Sequence, residues 1–181
     1  MANPYELLAG LALLREKKRR LQQRNDTELQ EWSGFQIQLG NVACLIPCTE
    51  VEEVITPENI ASVRGGANWI RGVVYCRAHL VTLIDVPRLL LNEPANLSSG
   101  RIFVMRGQQE WFGLQVSTFD GVRHIWSDTP VCEAPANHQG VWLQYVQQWL
   151  LLDNRPVAVL NAKILVIKLE KQEKIGVEVG V

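Results

Sequence analysis

The chain has 181 residues, 47% of them hydrophobic and 20% charged, with a formal net charge of -1. That length supports one sizeable domain, or two small closely joined ones, around a real hydrophobic core. The near-neutral balance provides no global field to draw the protein to nucleic acid or membrane, so any electrostatic function has to be local.

Residues 1–31 read as an amphipathic helix and a linker. Leu7, Leu14 and Leu21 repeat every seven residues, Leu11 falls on the same side, and six basic side chains between Arg15 and Arg24 face away from that stripe. Docking on the chain's own domain or on a partner helix is the ordinary role of such a helix; a basic arm for phosphate or anionic lipid would want interleaved aromatics, which are missing. The apolar runs fall short of the roughly 20 residues a membrane span needs. The basic cluster follows the apolar stretch instead of preceding it as in a secretory signal, and a cytoplasmic protein is expected.

From Trp32 the hydrophobic period changes to two. Phe35, Ile37 and Leu39 alternate with glutamines, Gly40 and Asn41 offer a tight turn, and Val42, Cys44 and Ile46 alternate again, which is a β-hairpin pattern. Thr49 and Glu52 have capping-box spacing, predicting a short helical turn through Val51, Val54 and Ile55 that Pro57 closes. Gly65 and Gly66 mark a loop.

The stretch WIRGVVYCRAHLVTLIDV, Trp69 to Val86, carries two strands, Ile70 to Tyr75 and Leu80 to Ile84, around a polar turn at Arg77 to His79. Its charges flank the strands. A buried arginine and aspartate would need each other, because an unpaired buried charge is costly, so Arg71 and Asp85 are expected to pair or to bond backbone carbonyls. Beyond a loop at Asn92 to Gly100, a hairpin is expected from Ile102–Met105 and Trp111–Val116, then a strand over Phe119–Trp126. A loop at Pro130–Gly140, an apolar segment at Val141–Leu152 and a strand at Pro156–Leu160 follow. Asn161 can cap a helix through Glu170, although Ile164 to Ile167 is equally good strand sequence. The tail 171–181 is expected to be flexible. Many short strands at close spacing predict a mainly β fold, a small barrel or a sandwich.

Marks of catalysis are missing. There is no G-x-S-x-G elbow, P-loop, H-E-x-x-H or G-x-G-x-x-G. His124, Asp128 and Cys132 lie four apart, but Pro130 breaks any helix that would align them as metal ligands. The four cysteines form no C-x-x-C pair and read as reduced packing residues. No catalytic residues, metal or cofactor are therefore expected. Six tryptophans in or beside strand-like segments fit either core packing or an interface, and surplus aromatics without a catalytic kit point to binding.

In order along the chain, FQIQLGNVACLIP, TEVEEVI, WIRG with VVYCRAHLVTLIDV, WFGLQVSTFDGV and RPVAVLNAKIL resemble the CheW family of chemosensory coupling proteins. The resemblance spans 32–170 and implies two small five-stranded SH3-like β-barrels sharing a core, with an N-terminal helix and a short C-terminal helix. It implies no active site, and a non-enzymatic adaptor between a histidine kinase, through its CheA-like regulatory domain, and the cytoplasmic tip of a methyl-accepting chemoreceptor, at receptor arrays on the inner membrane. By position it implies partner contacts at Val51, Glu53, Gly72, Arg77, Phe119 and Val122, and structural roles for Asp85 and Gly113, beside Arg71. Ala78 stands where the family has glycine, Thr82 where it has proline and Ser117 where it has aspartate. Ala78 would be uncomfortable if its turn required positive φ. The N-terminal helix and EWSGFQIQLG are more similar to the adaptors of type IV pilus systems, which implies twitching motility; the flagellar type is the alternative. A nucleic-acid-binding barrel is the reading from another class, and it is opposed by the net negative charge outside the N-terminal helix.

Overall fold

The computed structural model describes residues 31–63, 65–93, 100–136 and 140–178, the last seven of these as backbone alone. The amphipathic helix expected before residue 31 lies outside the described residues, as does His138. Glu31, expected as the end of a linker, already pairs with Trp126 in the sheet.

Among the described residues, eleven strands form two sheets. β1 (Glu31–Leu39) and β2 (Val42–Pro47) form the first hairpin, closed by Gly40 at φ +59. The chain then crosses to a second sheet made of β3 (Glu53–Ile55), β4 (Ile70–Cys76), β5 (His79–Asp85), β6 (Arg101–Arg106) and β7 (Trp111–Val116), with a short helix α1 (Val86–Leu91) after β5. It returns to the first sheet through β8 (Thr118–Trp126), β9 (Val131–Cys132), β10 (Val146–Leu152) and β11 (Arg155–Leu160), and ends in helix α2 (Ala162–Glu178). Strand order is β8-β1-β2-β11-β10-β9 in one sheet and β3-β6-β7-β5-β4 in the other, each antiparallel except for one parallel pair, β2 with β11 and β5 with β7.

The strand patterning explains how the two sheets pack. Leu45 of β2, Ile125 of β8, Leu150 of β10 and Val157 and Val159 of β11 meet in one cluster, so the first sheet is rolled around them. Val74, Val81, Leu83, Ile102 and Val104 fill the second sheet in the same way. The residues between these positions point the other way: Cys44 and Ile46, Phe103 and Met105, and Ala158 and Leu160 all enter a third, larger cluster shared by both sheets. A strand with both faces buried reads as a continuous apolar run, which is why IFVM and VAVL show so little polar alternation. The mainly β fold of two small barrels on a shared core is thus observed, the first sheet having a sixth, two-residue strand in β9.

Three local expectations are corrected. The capping box at Thr49 does not form: Cys48–Glu50 is a single 3-10 turn without a side-chain cap, and Glu53–Ile55 is strand. There the pairing of Val54 with Phe103 outweighs the local helical signal. Arg71 does not pair with Asp85. Arg71 is exposed, whereas Asp85 caps α1 by accepting the Arg88 backbone N–H at 2.9 Å, so the buried carboxylate is satisfied by a helix terminus. The C-terminal segment is helix and continues to Glu178, past the end expected at Glu170. Asn161 caps it, its Oδ1 accepting the Ile164 N–H at 3.0 Å, and Glu50 adds a second acceptor for the Lys163 N–H at 3.0 Å.

Candidate partner-binding surface

The two-residue turn between β4 and β5 consists of Arg77 and Ala78, with Cys76 opposite His79. Both turn residues take positive φ, +42 at Arg77 and +67 at Ala78. A tight turn of that hand suits the twist of the flanking strands but normally calls for Asn and Gly, and a Cβ in the left-handed region costs about 1–2 kcal/mol per residue. Strain of this kind persists where surroundings hold it. Here Glu53, on the opposite edge strand β3, supplies part of the hold. Its Oε2 lies 2.9 Å from Arg77 Nε and accepts the Cys76 thiol at 3.2 Å. These side chains draw together the two edges of the second sheet, which share no ladder of their own.

The thiol stays protonated in this setting. Burial pushes the Cys76 thiol up, the hydrogen bond and charge of Glu53 push the same way, and Arg77 opposes them. Arg77 reaches outward, with its side chain 76% exposed. Beside the pair opens a cleft of about 270 Å³ lined by Glu52, Glu53, Cys76, Arg77, His79, Val104 and Trp111. His79 stacks on Trp111 with ring centroids 4.4 Å apart and planes 18° from parallel, forming one wall. On the outer face of the same hairpin, Tyr75 and Leu80 are cross-strand partners and stand 72% and 61% exposed. The area combines a charged centre, apolar flanks and a concavity, the ingredients of a protein contact.

The other positions implied by the resemblance fall into distinct settings. Val51 is half-buried against the shared core. Phe119 is half-buried too, its ring 6.0 Å from Phe35 and 5.7 Å from Phe103 at the seam between the sheets, while Val122 on the same strand is 49% exposed. Gly72 is buried. Its φ is +148, and a Cβ there would come within 2.3 Å of the Ala61 carbonyl oxygen, where Ala61 and Val73 exchange two backbone hydrogen bonds. Gly113 lies inside the second barrel, where a Cβ would meet Leu83 Cδ2 at 2.6 Å and Ile102 Cγ2 at 2.7 Å. Glu53 and Arg77 are therefore brought into direct contact, Val51 and Phe119 line the seam, and Gly72 and Gly113 allow close packing beneath the surface.

The residue signals alone missed Trp111, His79 and Cys76 as parts of the cleft. A histidine in a turn reads as solvated, and its stacking on a tryptophan 32 positions later depends on parallel pairing of β5 with β7. His124, weighed as a metal ligand, lies on β8 and pairs with Glu31 at 2.8 Å. Among the described residues no helix is long and apolar enough to cross a membrane.

Comparison with known proteins agrees with this architecture. The chain is 28% identical to protein PilI of Pseudomonas aeruginosa over 102 residues, covering 56% of this chain and 57% of that protein, so it spans little more than half of this relative's length. The crystal structure of scaffolding protein TtCheW from Thermoanaerobacter tengcongensis superposes with a TM-score of 0.63 at 16% identity, covering 75% of this chain and 88% of that one. The family model of the CheW-like domain matches residues 33–170, and with both barrels and the shared core in place the chain belongs to that family.

Proposed function

We propose that this protein is a non-enzymatic adaptor that couples a chemoreceptor to a histidine kinase in a chemosensory system governing type IV pilus twitching motility. Membership of the CheW-like family supports the coupling role, and the likeness to PilI supports the pilus system. The observation that carries the reading is the Glu53–Arg77 pair, held at 2.9 Å over a strained turn with its guanidinium exposed. An exposed ion pair contributes only about 0–1 kcal/mol to stability, so strained backbone held in this way is better accounted for by a partner than by the fold. Val51, Phe119 and Val122 extend the surface along the seam, and Gly72 supports it from beneath. Action in the cytoplasm, beside receptor arrays at the inner membrane, belongs to the same proposal.

Calorimetric titration against the CheW-like regulatory domain of the pilus-system kinase from the same genome, at two salt concentrations, tests it. Saturable 1:1 binding is expected, weakened about tenfold or more in Arg77→Ala, in line with losing a charged interface contact, while the urea midpoint of the variant stays near that of wild type. Heat only with a flagellar-type kinase domain would move the protein to the flagellar branch. Absence of heat with either folded partner, and with the receptor tip, would sink the coupling role.

A further inference from the structure

Glu170 is an acidic side chain that the surface described above does not use, and it is only 3% exposed. It lies on α2, and its carboxylate reaches the turn between β6 and β7. There Oε2 accepts the Gln108 backbone N–H at 2.8 Å, and Oε1 accepts those of Gln109 at 2.6 Å and Glu110 at 3.1 Å. Three consecutive backbone N–H groups converging on one carboxylate make an anion nest, and hydrogen bonds to a charged acceptor are the strong ones. Gly107 completes the cradle: its N–H bonds the Glu110 carbonyl at 2.8 Å, and a Cβ there would meet Glu170 Oε2 at 3.1 Å.

The residue directly after this nest is Trp111, the wall of the cleft that carries the His79 stack. A turn of Gly107 to Glu110, left to itself, is an exposed polar loop with one backbone bond across it. The buried carboxylate fixes the three amides that lead into Trp111. We propose that Glu170 is a positioning residue for the cleft: from the C-terminal helix, through the β6–β7 turn, it sets Trp111 against His79 beside Arg77. The significance of this inference rests on reading the cleft as the partner surface. It also gives α2 a route to that surface, so that displacing the helix would be felt at the stack.

The experiment is solution NMR on the full chain, wild type beside Glu170→Gln and Gly107→Ala. The first keeps side-chain volume but puts an amide N–H where an acceptor was. The second leaves Glu170 intact and crowds the nest from the other side, so a folding defect in one does not end the test. Stacking on an indole shifts the His79 ring protons upfield. The expected result in the folded variants is a return of those protons toward free-imidazole positions, with amide exchange at Gln108, Gln109 and Glu110 faster by about tenfold or more. Faster exchange with unmoved His79 protons would reduce Glu170 to a turn cap and overturn the proposal, as would no change in either. If the wild-type titration fails while the stack still responds to Glu170, the functional reading falls and the positioning stands.

Discussion

Ala78 is where side-chain identity and backbone conformation disagree most openly. Its φ of +67 lies in the left-handed region, where an L residue with a Cβ is strained, and glycine occupies that region without the penalty. Ala78→Gly is expected to raise stability by about 0.5–1 kcal/mol, the relief of strain exceeding the extra entropy of glycine in the unfolded chain. Urea unfolding reads this directly, and a lower midpoint would mean that the turn is not strained. Cys44 makes a second residue-level case. It is fully buried, and loss of hydration pushes its thiol up to about 12 from an ordinary 9.0. The protonated form is thus favoured in the folded state, so this contribution is intact below pH 9 and is lost as pH rises toward about 12. Folded protein is expected to leave Cys44 unmodified by a thiol reagent at pH 8, and Cys44→Ala to show a shallower alkaline loss of stability than wild type. Equal alkaline slopes would show that the thiol is not shielded.

Among the elements, α1 shows what local signals can and cannot say. Asp85 accepts the Arg88 N–H, Pro87 stands in the first turn, and Asn92 ends the helix at φ +56, which are standard start and stop signals. No helix is expected at VPRLLL from the sequence, and Asp85 is taken as one half of an ion pair, because a carboxylate that ends a strand fits either role until its partner is seen. Replacing Asp85 by Ala is expected to cost about 1 kcal/mol, and by Asn only a few tenths, since Asn caps equally well. If both variants lost the same amount in thermal unfolding, charge rather than capping would be the role. The hairpins were legible for a physical reason: period-two alternation and tight turns are local properties, so β1–β2, β4–β5 and β6–β7 stand close to where the pattern puts them, although His79, expected in the turn, already belongs to β5. The crossover segment was not, because β3 is strand only through its pairing with β6, about 50 residues away. Contacts in the candidate site share that limit. Glu53 and Arg77 are 24 positions apart, and only the rolling of the second sheet makes them neighbours.

At the scale of the whole molecule, the chain leaves the first sheet after β2 and returns at β8, so the first barrel is built from two separated pieces of sequence and the second is the continuous stretch between them. Between the two barrels lies the largest cluster, in which Ile37, Cys44, Phe103, Phe112 and Ala158 are fully buried. Strands β2, β6 and β11 each contribute one face to a barrel interior and the other to this shared core. Loosening either barrel therefore exposes the common layer, and small domains built on one core unfold as a unit. Leu45 is a clean probe, since it is fully buried and belongs to the interior of the first barrel alone. Leu45→Ala is expected to remove about 2–5 kcal/mol, and to lower by the same amount the opening free energy of slow amides in β1 and in β4, which share no ladder. Native-state hydrogen exchange distinguishes the outcomes: equal losses mean one cooperative unit, whereas unchanged protection in β4 would mean that the second barrel stands without the first. Under the proposed function cooperativity matters, because the proposed contact surface has parts on both sheets, Arg77 at a turn of one and Val122 on a strand of the other. Such a surface keeps its geometry only if the two barrels behave as a single body.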